Sequence, residues 1–188
     1  MSNICIIGHI SIDKIYNNKI KAESIGGPPC YSGLTCVNEG LDVEIYTRVG
    51  NDFPAEYESW LKENRIRMLD GKSALNTTSF KITETKKRKQ LKLINKCEEI
   101  RIEEEKVEKY EGIILSPIVN ELDEKNNKLI NKLDKKILLD PQGYLRKFNE
   151  NGVCELKYLD INKLPKADII KISEEESKMI DNSDKFSS

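Results

Sequence analysis

The sequence is poor in histidine and in aromatic residues. Among its 188 residues there is one histidine, His9, and phenylalanine, tryptophan and tyrosine together make up 6%. A metal site built from imidazole ligands is therefore not indicated. Cysteine occurs five times, an odd number without Cys-x-x-Cys spacing, so neither a disulfide framework nor a zinc site is predicted.

Long apolar runs and an excess of one charge are missing as well. The first ten residues, MSNICIIGHI, have no basic region, and their apolar run is too short for a signal peptide or a membrane span. With 31 basic and 32 acidic residues the net charge is −1, which argues against nucleic acid or a membrane as the partner. We expect a cytoplasmic protein whose partner is a small molecule.

Short β-branched runs alternate with helical patterns along most of the chain. This alternation predicts an α/β fold with a doubly wound, mostly parallel sheet over residues 1–180. The predicted strands cover residues 4–7, 44–49, 112–115, 136–139 and 168–172. The predicted helices cover residues 30–39, 54–63, 120–133 and 173–180, and Gly40 is expected to end the first of them.

One segment, residues 68–97, has a different character. Its alternating runs at 77–83 and 90–96, around a turn at 84–89, predict a small β-sheet inserted as a lid. A further small hairpin is predicted at 14–20. The charged segment 98–111 is interpreted as a solvated connector or short helix, and residues 181–188 as a frayed polar tail.

The most informative stretch is 25–54, which begins with Gly26-Gly27 in front of a predicted helix. Glycines let a backbone approach a ligand closely, and a helix N-terminus presents free N–H groups. Gly-Gly before Pro-Pro is also a common turn, so both interpretations stay open. Asp13, just after the first strand, can accept paired hydrogen bonds from sugar hydroxyls or serve as a turn or cap residue.

These motifs, together with Arg48-Val49-Gly50-Asn51-Asp52, resemble the first signature of the PfkB/ribokinase-like carbohydrate kinases. The run LDPQGYLR at 139–146 resembles the archaeal-type sugar-kinase branch. The resemblance implies that Asp13, Gly26 and Gly27 hold the phosphate acceptor, a sugar or a nucleoside. It also implies ATP and Mg²⁺ as cofactors of the full-length enzyme. The lid would close over the acceptor, and a homodimer would form through the lid.

Three further residues are candidates for the phosphate or metal side by the same resemblance: Asp140, Arg146 and Glu176. Each has a structural alternative. Asp140 precedes proline and can start a turn, Arg146 can pair with a neighbouring carboxylate, and Glu176 with Ser173 matches a helix capping box. The sequence also departs from the family, because Cys30-Tyr31-Ser32 stands where an asparagine is common.

The sequence contains no Gly-x-Gly-Asp, the family's anion hole and catalytic aspartate. We therefore expect a truncated kinase that is inactive and poorly stable alone, with no catalytic residue of its own. The alternative is a non-catalytic sugar- or nucleoside-binding or regulatory module. A generic dinucleotide-binding protein is a third hypothesis, and the lack of Gly-x-Gly-x-x-Gly after Ile7 argues against it. The acceptor's identity, and whether the chain is an enzyme, stay open.

Overall fold

The computed structural model describes residues 2–17, 20–69, 71–85 and 88–181. Sixteen strands lie within these ranges. They are β1 Asn3–Ile7, β2 Ser11–Asn17, β3 Ile20–Gly26, β4 Asp42–Tyr46, β5 Val49–Gly50, β6 Ile66–Leu69, β7 Lys72–Ser73, β8 Ser79–Thr85, β9 Arg88–Asn95, β10 Gly112–Leu115, β11 Lys136–Leu139, β12 Arg146–Phe148, β13 Cys154–Leu156, β14 Leu159–Asp160, β15 Ile169–Ile170 and β16 Ile180–Asp181.

Six α-helices connect these strands within the described ranges. They are α1 Pro28–Asn38, α2 Ala55–Glu63, α3 Glu104–Val107, α4 Glu124–Ile130, α5 Gln142–Leu145 and α6 Glu174–Ser177, and a 3₁₀ turn spans Ile161–Lys163. Helix α1 begins with proline, whose fixed φ suits the first turn, and Gly40 follows its end at φ 82°. In the part of the chain that is described, no helix is long and apolar enough to cross a membrane.

The central sheet has six parallel strands in the order β15-β11-β10-β1-β4-β6. One face carries a core that includes Ile7, Ile113 and Leu115, together with residues from the α3 and α4 segments. The opposite face packs over β1 and β4 against α1 and α2. A parallel sheet with helices on both faces confirms the predicted α/β, doubly wound class.

The lid is a second sheet of four strands in the order β3-β2-β8-β9. Strands β2 and β3 form a seven-pair antiparallel hairpin, and β2 also runs parallel to β8. Half of this sheet therefore comes from residues 11–26, outside the predicted segment 68–97. Within that segment, β6 belongs to the central sheet and β7 pairs with β5. Residues 18 and 19, in the predicted hairpin at 14–20, lie outside the described residues.

The predicted turn at 84–89 is wrong at both ends. Glu84 and Thr85 continue β8, and their partners in the ladder are Lys89 and Arg88 of β9. Residues 86 and 87 lie outside the described residues. A polar sequence is compatible with a strand when a neighbouring strand supplies the ladder, and that neighbour, β2, was not expected in this sheet.

Several boundaries also differ from prediction. Helix α4 begins only after Asp123, whose carboxylate accepts from the Asn126 N–H at 2.8 Å. Strand β4 ends at Tyr46, and α6 is limited to four residues, followed by Ile180 in β16. The segment 98–111 is not fully solvated, because Ile100, Val107 and Tyr110 are buried in the core. Of the predicted tail, Asp181 ends β16, and residues 182–188 lie outside the described residues.

Candidate functional site

A cavity of about 540 Å³ lies where the carboxyl ends of the central strands meet the inner face of the lid. Asp13, Phe80 and Leu91, from strands β2, β8 and β9 of the lid, line it together with Gly27. The remaining walls come from Ile118 after β10, from α5, from the β12–β13 hairpin and from Glu175-Glu176 of α6. In parallel α/β sheets, ligands bind outside the carboxyl ends of the strands.

Asp13 lies inside β2, on the inner side of the hairpin, and not in a loop after β1. The Ser11 hydroxyl donates to Asp13 Oδ1 at 2.8 Å and orients the carboxylate. The carboxylate also lies against Gly26, where an added Cβ would overlap it. Any side chain at position 26 would therefore displace Asp13, which explains why this position needs glycine.

Gly27 precedes α1 and has φ 93°, a value that L side chains rarely adopt. A Cβ added there would lie 2.6 Å from the His9 carbonyl oxygen. The two glycines thus let the backbone turn tightly beside β1, and they place the first turn of α1 at the cavity. That turn begins with Pro28 and Pro29, which have no N–H, and the Cys30 N–H donates to the Gly27 carbonyl oxygen at 3.1 Å. This side of the cavity therefore presents the Asp13 carboxylate and not helix N–H donors.

Below the cavity, a buried network joins the end of β1 to the start of the lid. His9 is fully buried, with Nδ1 2.8 Å from Thr78 Oγ1 and Nε2 2.9 Å from the Glu98 carbonyl oxygen. Thr78 Oγ1 in turn accepts from the Cys97 N–H at 3.0 Å. Burial lowers the pKa of the His9 imidazole, against an opposing contribution from Glu121.

Glu121 is also fully buried, and its carboxylate is held by backbone donors. It accepts from the N–H groups of His9 at 2.8 Å, Ile118 at 2.9 Å and Val119 at 2.7 Å. This arrangement fixes the loop after β10, so that Ile118 lies in the cavity wall. Three backbone donors around one carboxylate satisfy groups that would be costly to bury unpaired.

Arg146 and Glu176 also line this cavity, but Asp140 does not. The Asp140 carboxylate accepts from Lys171 Nζ at 3.0 Å and lines a neighbouring pocket of about 710 Å³. Tyr31, which is 61% exposed, borders both spaces. Burial, and after it the nearby Asp13 carboxylate, raise the pKa of the Tyr31 hydroxyl.

The carboxylates of Asp140 and Glu176 are both engaged within the chain. Glu176 Oε2 accepts from the Ser173 N–H at 3.0 Å and from the Ser173 hydroxyl at 2.7 Å, and together the two residues complete a capping box. Among the described residues, no group of three or more histidine, cysteine or acidic side chains is arranged to hold a metal ion. These residues do not by themselves fit a Mg²⁺ site, and we derive no step through Mg²⁺ or ATP.

The structure therefore brings five of the six candidates, Asp13, Gly26, Gly27, Arg146 and Glu176, to one cavity or its immediate wall. Sequence reasoning missed the wall formed by Val153, Cys154 and Leu156 of the second hairpin. A signal for it was present. Asn-Gly, here Asn151-Gly152, is a common pair in hairpin turns, and Gly152 has φ 74°.

No protein-family model matches the chain, and no curated protein matches it. Solved structures, in contrast, match the chain. A pyrophosphate-dependent kinase of the ribokinase family, in a sulfate complex, matches with a TM-score of 0.80 at 19% identity over 95% of this chain. The structure of such a kinase with a pyrophosphate analog and myo-inositol matches at 0.80 and 21% over 95%. The nucleoside kinase of Methanocaldococcus jannaschii matches at 0.58 and 17% over 77%.

These similarities show that the chain has the ribokinase-like fold. The chain spans 64% of the length of the two pyrophosphate-dependent kinase structures and 54% of the length of the archaeal nucleoside kinase. The fold in those proteins thus contains elements that have no counterpart among the matched residues of this chain.

Proposed function

We propose that this chain is the acceptor-binding part of a ribokinase-family kinase and binds a polyhydroxylated small molecule beneath its lid. Sugars, nucleosides and cyclic polyols such as myo-inositol are the candidate acceptors. Two features support this assignment: the ribokinase-like fold, and neighbours whose names include a nucleoside kinase and a kinase complexed with myo-inositol.

The observation that carries the proposal is the convergence of Asp13, Gly26 and Gly27 where the β2–β3 hairpin of the lid meets the start of α1. Asp13 offers a carboxylate oriented by Ser11, and a carboxylate can accept hydrogen bonds from two adjacent hydroxyls. Gly27 has no side chain at the cavity wall, so a ligand can approach its backbone closely. A polyol presents several hydroxyls in a compact shape, so two of them can donate to the Asp13 carboxylate together.

The lid also contributes an apolar surface beside Asp13, because Phe80 of β8 is the ladder partner of Asp13 in β2. Phe80 is 3% exposed, and Ile82 and Leu91 line the same cavity. Such a surface covers the carbon face of a sugar ring and excludes water, which competes as a phosphoryl acceptor. Arg146 is the cationic side chain in the described cavity wall, and it stands where it can meet an anionic group.

We further propose that the chain binds its acceptor without transferring phosphate by itself. The sequence has no Gly-x-Gly-Asp, the motif that by resemblance supplies the anion hole and the proton-accepting aspartate. General-base catalysis contributes about 10²- to 10⁴-fold, and a lost oxyanion donor costs about 10²- to 10³-fold. The same observation favours the second candidate, a non-catalytic sugar- or nucleoside-binding or regulatory module.

Calorimetric titration with ribose, adenosine and myo-inositol tests the acceptor site. We expect saturable binding of at least one ligand, weakened about tenfold or more by Asp13→Asn, because hydrogen bonds to a charged group contribute roughly 1.5–3 kcal/mol. Glu23→Gln is the matched control. Glu23 lies in β3 of the same hairpin, is exposed and faces Lys14, so binding should not change.

An assay for product release from ATP or pyrophosphate on the same samples, run with and without an added segment that contains Gly-x-Gly-Asp, separates the two candidates. Binding without turnover is expected for both the kinase part and the regulatory module. Restoration of turnover by an added Gly-x-Gly-Asp-containing segment would favour the kinase part. Loss of binding in Glu23→Gln to the same degree as in Asp13→Asn, or turnover by the chain alone, would contradict the proposal.

A further inference from the structure

A second polar cavity, of about 570 Å³, lies beside helix α4 and is called the α4 cavity below. Gln142 of α5 lines the cavity proposed above for the acceptor, whereas Tyr144 of the same helix lines the α4 cavity. Among the described residues, none lines both spaces. Small-molecule sites commonly measure about 300–1,000 Å³, so the α4 cavity is large enough for a ligand of its own.

Lysine side chains give the α4 cavity an excess of positive charge. In the part of its wall that the structure describes, the charged residues are Asp123, Glu124, Lys128, Lys157 and Lys163. The Asp123 carboxylate already caps α4, and Glu124 pairs with Lys128 at 2.9 Å. Lys157 and Lys163 form no ion pair with any residue that the structure describes. Two positive charges therefore line one concave space without a carboxylate partner.

Lys157 is the more constrained of these two cations. It is half-buried, and its backbone N–H donates to the Leu145 carbonyl oxygen at 2.8 Å, which ties it to the end of α5. Its Nζ donates to Asn120 Oδ1, a neutral acceptor, at 3.2 Å. An ammonium group has three donors, and within the described ranges only Asn120 accepts from this one. Because charges attract more strongly away from bulk water, the remaining donors favour an anionic ligand.

The polar wall around Lys157 is held in place by the chain itself. Asn120 has φ 55°, and its Nδ2 donates to the Arg146 carbonyl oxygen at 2.9 Å, which leaves Oδ1 for Lys157. Tyr144 is 8% exposed, and its hydroxyl donates to Asn127 Oδ1 at 2.6 Å. A wall that needs no rearrangement lowers the free-energy cost of binding a ligand.

Another part of the wall is apolar. Leu122 and Leu164 are 5% and 7% exposed, and Leu159 is partly buried. These side chains can cover a carbon skeleton, which an inorganic ion lacks. A phosphate monoester carries about −1.5 to −2 charges at pH 7 and three acceptor oxygens, so it matches Lys157 and Lys163 together. A carboxylate carries a single charge and matches two lysines less well.

We propose that the α4 cavity binds a small organic phosphate, with the phosphate at Lys157 and Lys163 and the carbon skeleton against Leu122, Leu159 and Leu164. This site does not depend on the acceptor binding proposed above, because the two cavities have no lining residue in common among those described. Its failure would leave the proposed function standing, and failure of acceptor binding would leave this site standing.

Calorimetric titration of the full chain with glycerol 3-phosphate tests the site, at low ionic strength because salt screens such contacts. Glycerol is the uncharged control ligand, and inorganic phosphate measures what the carbon skeleton adds. The double variant Lys157→Met/Lys163→Met removes both charges and keeps the side-chain length. Lys125→Met/Lys166→Met is the charge-matched protein control, because both lysines are exposed and neither lines the cavity.

We expect saturable binding of glycerol 3-phosphate, weakened about tenfold or more in Lys157→Met/Lys163→Met, because hydrogen bonds to charged groups are lost. Lys163→Met alone should weaken binding to a smaller degree, and this exposed position keeps the test valid if the double variant does not fold. Inorganic phosphate should bind more weakly, and glycerol should not bind at this site. Lys125→Met/Lys166→Met should bind like the unmodified chain.

Arg146→Met separates the α4 cavity from the acceptor cavity, which the Arg146 side chain lines. Glycerol 3-phosphate binding should not change in this variant. The proposal is overturned by absence of saturable binding, by an equal loss in Lys125→Met/Lys166→Met, or by inorganic phosphate binding as tightly as glycerol 3-phosphate. A loss in Arg146→Met with none in Lys157→Met/Lys163→Met would place the phosphate in the acceptor cavity and would also overturn it.

Discussion

Strands β10, β11 and β15 have two apolar faces, and the chain covers one of them far more completely than the other. Ile113 is 1% exposed on the covered face, whereas its neighbour Ile114 is only partly buried and Ile169 is 59% exposed on the open face. The side chains on both faces of these strands are mostly isoleucine and leucine. The difference lies in their neighbours, because α3, α4 and the segments around them all pack on one side.

This comparison separates two regions of the molecule. The cavity beside the lid lies where packing is dense, with His9, Glu121 and Thr78 joined in a buried network at its base. On the open face Ile114 and Leu138 are only partly buried, and the Oγ of Ser116, near Ile114, has no partner among the described residues. A preorganised cavity suits a small ligand.

The largest effect should come from shortening one isoleucine side chain on each face in turn. We expect Ile113→Ala to lower the free energy of unfolding by about 3 kcal/mol, because the lost side chain leaves a cavity in a fully packed core. Ile114→Ala, the next residue on the same strand, should cost about 1 kcal/mol, since its side chain is partly in water already. Urea denaturation of both variants measures the difference. Equal costs would show that the open face is covered in solution.

An intermediate effect should come from the single histidine in the network below the cavity. Burial lowers the pKa of His9 in the folded chain, so below the ordinary value of about 6.5 the unfolded chain binds more protons. The contribution of His9 to the free energy of unfolding is therefore fully present above about pH 6.5. It is lost as the pH is lowered, by up to about 1.4 kcal/mol per pH unit.

Urea denaturation at pH 7.5 and 5.5 measures this loss, which we expect to be about 1 kcal/mol. Because the sequence contains one histidine, His9→Gln is a clean control. The His9→Gln variant should be less stable at pH 7.5, but its free energy of unfolding should change less between pH 7.5 and pH 5.5. An unchanged slope in His9→Gln would mean that another group causes the loss.

The smallest effect should come from the capping box of α6. Ser173→Ala removes the hydroxyl that accepts from the Glu176 N–H at 3.3 Å, and we expect a loss of about 0.5 kcal/mol, the lower end for a cap, because this one is exposed. Ser177→Ala in the same short helix should be nearly neutral, because its hydroxyl only donates to the Glu174 carbonyl at 2.9 Å on an exposed surface. Thermal unfolding of the two variants distinguishes them. Similar values for both would show that α6 adds nothing measurable to stability.

Prediction from sequence succeeded where a signal was local. Gly112–Leu115 and Lys136–Leu139 form strands with the expected bounds, since short apolar runs between polar residues have few alternatives. The capping box at Ser173 and the helix end before Gly40 were also local patterns. In each case the residues that determine the feature lie within a few positions of one another.

Prediction failed where distant strands decide the outcome. Asp13 was expected in a loop, but β8, more than 60 residues later, pairs with β2 and makes this region part of the lid. Likewise Glu84 and Arg88 were expected in a turn, yet they belong to strands β8 and β9, and β2 extends along β8 as far as Glu84. Strand preference depends on such neighbours more than on intrinsic backbone preference.

The sequence by itself determined the α/β class, the two glycines that must precede α1 and the carboxylate that accompanies them. Chemical type and chain order are local properties, and they limit which ligands the site can take. Only the tertiary structure decided that Gly26 lies against Asp13, that Asp140 pairs with Lys171 in a different pocket, and that the row Ile114, Leu138 and Ile169 stays open. Those facts depend on which strands become neighbours, and that choice is made by the burial of the whole sheet and not by any one segment.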